Sequence, residues 1–369
     1  MFAPPTANIQ PIEKTVFSTL QAGRAFAVVA VVAFHAHVFF IPERLYPGQN
    51  VSRVFDMGYA GVEFFFVLSG FIMLLVHRGD IGVPGMARRF AERRINRIIP
   101  FYWVVTAAMI ALLAVQLPET ASELRLGRVL HSLFLIPMPD GEKLLIGAAW
   151  TLTHEFLFYG FFALLILSPR LGGAAFALWL GLAALGLPLS YPADTLLSPY
   201  NLLFPMGMLA AAAFIRVPPA AAAGLALLGV VAFVTVGLLD TYRVTDIGHT
   251  ARTLSFGIAA TAAVIGLAAL EWRGRLRAPR WLSFLGDASY AIYLVHIVAL
   301  PVITRLMMAA GLNTLLPPFA GYAVLVASAV AAGSLAHVMV ERPLGRAIRN
   351  RRTRRQQRRA GVATADHAG

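Results

Sequence analysis

The sequence predicts an all-α polytopic membrane protein of about ten transmembrane helices with both termini in the cytoplasm. Three observations predict it. Hydrophobic residues make up 58% of the 369 positions and charged residues only 13%, about half the charged share of a soluble domain. The apolar residues fall into runs long enough to cross a bilayer, bounded by Pro, Gly and charge. Lysine and arginine sort between alternate connections, with 22 of the 31 on one set and seven on the other. The richer set marks the cytoplasmic side, and an even number of crossings returns the chain to it. The net charge of +13 is then explained by topology and anionic headgroups, without nucleic acid. The expected location is the inner (plasma) membrane, crossed many times. Cysteine is absent, which excludes disulfides, thiolate metal sites and a cysteine acyl-enzyme.

Ten spans are expected near 21–41, 58–77, 98–117, 144–167, 171–188, 199–215, 219–239, 250–270, 288–309 and 319–341. They divide the chain into an N-terminal cytoplasmic segment (1–20), a membrane domain (21–345) and a basic, disordered, lipid-facing tail (346–369). The first span carries Arg24 and His35 in an otherwise apolar run. Eleven residues at 100° each amount to three turns plus about 20°, so both lie on one stripe roughly 16 Å apart along the axis. Such a stripe suits a cavity in which the Arg holds an anion and the His moves a proton. The plainer reading is a snorkelling Arg and a His bonded to a neighbouring helix.

The second span holds Glu63, either functional or tied to backbone or a nearby Arg. Its Gly58, Gly61, Ser69 and Gly70 are small residues that let helices approach closely, and Ser69 reads as packing. Arg94 and Arg97, three apart, share a face just before the third span. They can clamp phosphate oxygens or simply signal topology, and Pro100, Tyr102 and Trp103 mark the interface. The fourth span opens with Trp150, Thr151, His154 and Glu155, a sugar-holding set or an interfacial belt with an incidental Glu. The fifth to seventh spans are Ala, Leu and Gly with short connections. In the ninth, Ser289, Tyr293 and His296 form a polar stripe that reads as a seam bonding other helices. Glu341 closes the tenth as an ion-pair anchor. The histidines lack a metal-ligand spacing such as HExxH, so no metal is expected.

Taken together, LQAGRAFAVVAVVAFH, GYAGVEFFFVLSGF, RRINRIIPFYW, WTLTHEFLFY and LGDASYAIYLVH resemble, in order, the acyltransferase-3 family of integral membrane acyltransferases, and within it the exopolysaccharide O-acetyltransferase-like branch. The resemblance spans the apolar body to about residue 345. It implies ten or so helices around a pore-like site. It also implies transfer of an acyl group, commonly acetyl from cytoplasmic acetyl-CoA, to a hydroxyl of a sugar or related acceptor. The family's Arg-x10-His pattern matches Arg24 and His35, which implies a basic role for the histidine. Its Arg-x-x-Arg pair matches Arg94 and Arg97, implying contact with the CoA donor. Its Trp-Ser/Thr-x-x-x-Glu pattern matches Trp150, Thr151 and Glu155, and its acidic residue of the second helix matches Glu63. Two departures stand out. Gly23 replaces a common Leu, and NLLFPMGMLAAA lacks the acidic residue often found in the sixth-span motif. No segment resembles the soluble esterase-like domain fused to some relatives.

The residues agree with this chemistry. O-acyl transfer needs a base near neutral pH, charge stabilisation at the thioester carbonyl, and a clamp for a polyanionic donor. With the roles the resemblance implies, the expected catalytic group is His35 with Arg24 and Glu155. Arg94 and Arg97 are expected to hold acyl-CoA, and Glu63, Trp150 and Thr151 a carbohydrate or glycoside acceptor. Acetyl-CoA enters as a co-substrate, with no cofactor held permanently. A proton-coupled transporter using His35, Glu63 and Glu155 as a relay, and an acyl-group translocator, are the competing readings.

Overall fold

The computed structural model describes residues 17–115, 121–244 and 247–351, and these contain helices and turns with no strand. The α-helices are α1 (Ser18–Phe39), α2 (Gly61–His77), α3 (Met86–Val115), α4 (Leu126–Phe134), α5 (Trp150–Leu167), α6 (Pro169–Ala184), the short α7 (Ala193–Leu196), α8 (Leu203–Ala213), α9 (Pro219–Thr241), α10 (Gly248–Trp272), α11 (Arg280–Ala309), the short α12 (Leu312–Leu315) and α13 (Pro318–Ala336). Nine helical stretches among the described residues are long and apolar enough to cross a membrane. The expected fifth span corresponds to α6, whose 16 residues reach only about 24 Å against a hydrocarbon core of about 30 Å.

Contacts at the helix ends nevertheless keep the alternation. At one end, Ser18 meets Glu271, the backbone N–H of Gly82 donates to Ile166 O, and Arg273 reaches Ile215 O. At the other, Arg53 donates to Thr241 O, Tyr46 to Leu316 O and Trp179 to Leu196 O. The first group belongs to the arginine-rich connections and the second to the arginine-poor ones.

Helices α3 and α11 each run 30 residues and continue through Pro100 and Pro301. The proline at the expected boundary of the third span does not end the helix. Instead, Met86–Ile99 carries the arginines out of the apolar zone as one rigid rod with the span. A membrane helix tolerates such a proline because neighbours re-satisfy the freed backbone. The last helix likewise passes through a π turn at His337–Glu341 and Pro343 to Arg351. Residues 346–351, expected in a disordered tail, are thus helical. Pro343 stands two residues past the π turn and does not end the helix. The expectations for 1–16 and 352–369 lie outside the described residues.

Close packing explains the glycines. A Cβ on Gly58, in the turn before α2, or on Gly61 at its start would meet the carbonyl oxygens of Ala30 or Ala27 on α1 at 2.2 and 2.5 Å, so the chain enters α2 nearly backbone to backbone with α1. Gly70 and Gly207 do the same between α2 and α8, and Gly229 and Gly266 between α9 and α10. These are the small-residue contacts by which membrane helices associate. Helix α1 is enclosed by α2, α10, α11 and α13, and its start is fixed by one carboxylate. The Glu271 oxygens accept from the backbone N–H and hydroxyl of Ser18 (2.7 and 2.6 Å) and of Thr19 (2.7 and 2.6 Å). That satisfies orphan donors at a helix N-terminus with a favourably placed negative charge.

Candidate active site

Two cavities lie along the polar stripe of α1, one above the other. The first, of about 390 Å³, is lined by Arg24, Arg94, Arg97, Ser69, Thr151 and Glu155, with Gln21, Tyr159, Asp287, Ser289, Tyr290 and Tyr293 completing its polar wall. The second, of about 660 Å³, is lined by His35, Glu63, Trp150, His154, Tyr59 and Tyr200, with Glu142 and Lys143 at its rim. Val62 and Tyr293 line both. Arg24 lines one chamber and His35 the other, so the single cavity expected from their shared stripe is two, because roughly 16 Å along the axis separates them.

In the first cavity, Arg24 donates from Nε to Ser289 Oγ (3.1 Å) and from Nη1 to Gln21 Oε1 (3.4 Å). Both hydrogen-bond partners are neutral, and the carboxylates of Asp287 and Glu155, which line the same cavity, are not bonded to it directly. Arg94 lies over the rings of Phe90 (5.6 Å) and Tyr159 (5.7 Å), a favourable arrangement for a guanidinium. Its buried Nε has no hydrogen-bond partner. Such an orphaned donor beside two further arginines fits a bound polyanion. Glu155 accepts from Ser69 Oγ (2.8 Å) and from the Tyr159 hydroxyl through the same Oε1. Ser69, read as packing, therefore orients a site carboxylate from the neighbouring helix. Tyr159, four residues after Glu155 on α5, was open to detection by that spacing alone; the Ser69 contact crosses helices and leaves no mark in the sequence.

In the second cavity, His35 Nδ1 lies 2.9 Å from Val31 O. A carbonyl only accepts, so Nδ1 carries the proton and Nε2 is the basic nitrogen. The ring meets His296 edge-on at 5.0 Å. Glu63 is 2% exposed and its Oε2 has no partner. Neither backbone nor arginine takes that oxygen, which points to a ligand donor. Trp150 stands 5.0 Å from Tyr200 and 5.6 Å from His154, giving the chamber an aromatic wall. His154 is held by Asn201 at 2.9 Å.

The fourth-span residues do not act as one cluster. Trp150 faces the second cavity, whereas Thr151 and Glu155 face the first. Thr151 donates to Ala148 O (3.0 Å) and meets the Tyr293 hydroxyl at 3.2 Å. The Tyr293 hydroxyl donates to Ala148 O at 3.1 Å. The α11 stripe is a seam, as expected: Ser289 holds Arg24, Tyr293 bonds the start of α5, and His296 packs on His35. Its position between the chambers was not evident from spacing. Glu341 accepts from His337 Nδ1 (2.6 Å), so its partner is a histidine of its own helix.

The acyltransferase domain family, acyltransferase-3, matches residues 17–338. The exopolysaccharide production protein ExoZ of Rhizobium meliloti (strain 1021) is similar, at 35% identity over 317 residues covering 82% of this chain and 95% of that protein. No solved structure matches the chain. With its helical membrane architecture and a family match over nearly its whole length, the chain belongs to the acyltransferase-3 family and is a membrane acyltransferase.

Proposed function

We infer that this acyltransferase moves an acyl group, acetyl in the first instance, from acyl-CoA to a hydroxyl of a polysaccharide or its precursor. One observation carries the reading: a cavity with three arginines meets, at Tyr293, a cavity with a basic histidine, a carboxylate and an aromatic wall. The similarity to an exopolysaccharide production protein supports a carbohydrate acceptor. In this reading the arginine cavity opens to the cytoplasm of the inner membrane and holds the donor phosphates. The slender acyl arm then passes Ser69, Glu155 and Thr151 to bring the thioester to Tyr293. The sugar lies against Trp150 and Tyr200, with a hydroxyl donating to Glu63.

The acceptor oxygen attacks the thioester carbonyl while His35 Nε2 takes its proton. The tetrahedral intermediate collapses, the C–S bond breaks, and CoA leaves as the thiolate, to be protonated from His35 directly or through water. Val31 O keeps the charged imidazolium hydrogen-bonded throughout. General-base catalysis of this kind contributes roughly 10²–10⁴-fold. Membranes containing the chain should transfer labelled acetyl from acetyl-CoA to a glycan fraction, and His35→Ala should lower the rate by at least about 10²-fold. An undiminished rate in that variant would remove His35 from the chemistry.

A further inference from the structure

Arg94 is held by a chain of side chains that the transfer reaction itself does not use. His77, at the end of α2, is 1% exposed. Its Nε2 lies 2.9 Å from Arg94 Nη2, and its Nδ1 lies 2.7 Å from Asp80 Oδ2. Arginine only donates, so His77 Nε2 accepts, and the ring proton must sit on Nδ1 and donate to Asp80. Asp80 thereby sets the tautomer that lets His77 receive the guanidinium. Phe90 packs edge-on against the imidazole at 5.0 Å and lies under Arg94 as well. The turn Arg78–Asp80 brings the carboxylate back under the ring.

The interposed imidazole has an electrostatic consequence. A carboxylate bonded directly to Arg94 would neutralise it and compete with any anionic ligand. A neutral imidazole fixes the same guanidinium while leaving its positive charge for the cavity. We propose that His77, oriented by Asp80, is a positioning residue that presents Arg94 to the phosphates of the acyl-CoA donor. This rests on the donor reading of the arginine cavity.

The test uses the full chain purified in detergent and two probes, acetyl-CoA and acetyl-pantetheine, which carries the same thioester without phosphates. His77→Ala should weaken acetyl-CoA binding about tenfold, the loss expected for one hydrogen bond to a charged group. Acetyl-pantetheine should be unaffected, whereas general damage to the fold would weaken both. His77→Gln, which restores an acceptor facing Arg94, should recover most of the acetyl-CoA affinity and serves as the test if the alanine variant fails to fold. Arg94→Ala separates the two layers of argument. If it weakens acetyl-CoA while His77→Ala does not, or if His77→Ala weakens both probes equally, the role of His77 is overturned. If Arg94→Ala leaves acetyl-CoA binding unchanged, the donor reading falls and takes this proposal with it.

Discussion

Single side chains here act through what they are denied as much as through what they touch. Arg24 is given a serine and a glutamine instead of a carboxylate, and Glu63 keeps an oxygen with no protein donor. Glu271 is the opposite case, with four donors converging on its two oxygens. Glu271→Gln replaces charge-assisted bonds by neutral ones and turns one acceptor into a donor facing donors. A loss of about 1–3 kcal/mol follows, read as a lower melting temperature of the detergent-solubilised protein. Arg24, His35, Glu63 and Glu155 were legible in the sequence because an ionisable residue in an apolar run stands out, and Arg94 because it shares a face with Arg97 just before a span. Ser69, His77 and Glu271 were not. Their partners lie on other helices, and nothing in a linear pattern says that a polar residue at a helix end faces one particular neighbour.

At the scale of the helix, small residues decide how near two spans can come. The α2–α8 contact is the tightest, with a Cβ on Gly207 meeting Val67 O at 1.8 Å and one on Gly70 meeting Phe204 O at 1.9 Å. In an isolated helix Gly→Ala is stabilising by about 1 kcal/mol. Here Gly207→Ala must push two backbones apart, and the sign reverses. Reduced yield of folded protein by size-exclusion chromatography is expected, with Gly160→Ala, which has open space around its Cβ, as the unaffected control. Helix existence followed from hydropathy, and the close-approach role of Gly58, Gly61 and Gly70 followed from residue size. The boundaries at Pro100 and Pro343 did not, since proline marks a helix end only where no neighbour re-satisfies the backbone. The fifth span was placed but overestimated, because an Ala- and Leu-rich sequence continues past Ala184 after the helix has stopped.

For the whole molecule, the proposed orientation places the arginine-rich helix ends in the cytoplasm. The chain lacks cysteine, so a single introduced one reports without background. A cysteine at Ser190 should react with a membrane-impermeant maleimide in spheroplasts, whereas one at Arg78 should react only after the membrane is opened. The reverse pattern would turn the molecule over. The two chambers also have a consequence for the cell's energy supply. They share Val62 and Tyr293 as lining, and a protein set in a membrane that sustains a proton gradient has to keep two such neighbouring spaces apart. The shared lining is an electrical insulator as much as a wall of the site. Proteoliposomes bearing the native chain should hold an imposed pH gradient, and Tyr293→Ala should let it decay faster as the two water-accessible spaces join. In the proposed orientation, transfer between the two cavities carries a second constraint, to deliver a group without passing current.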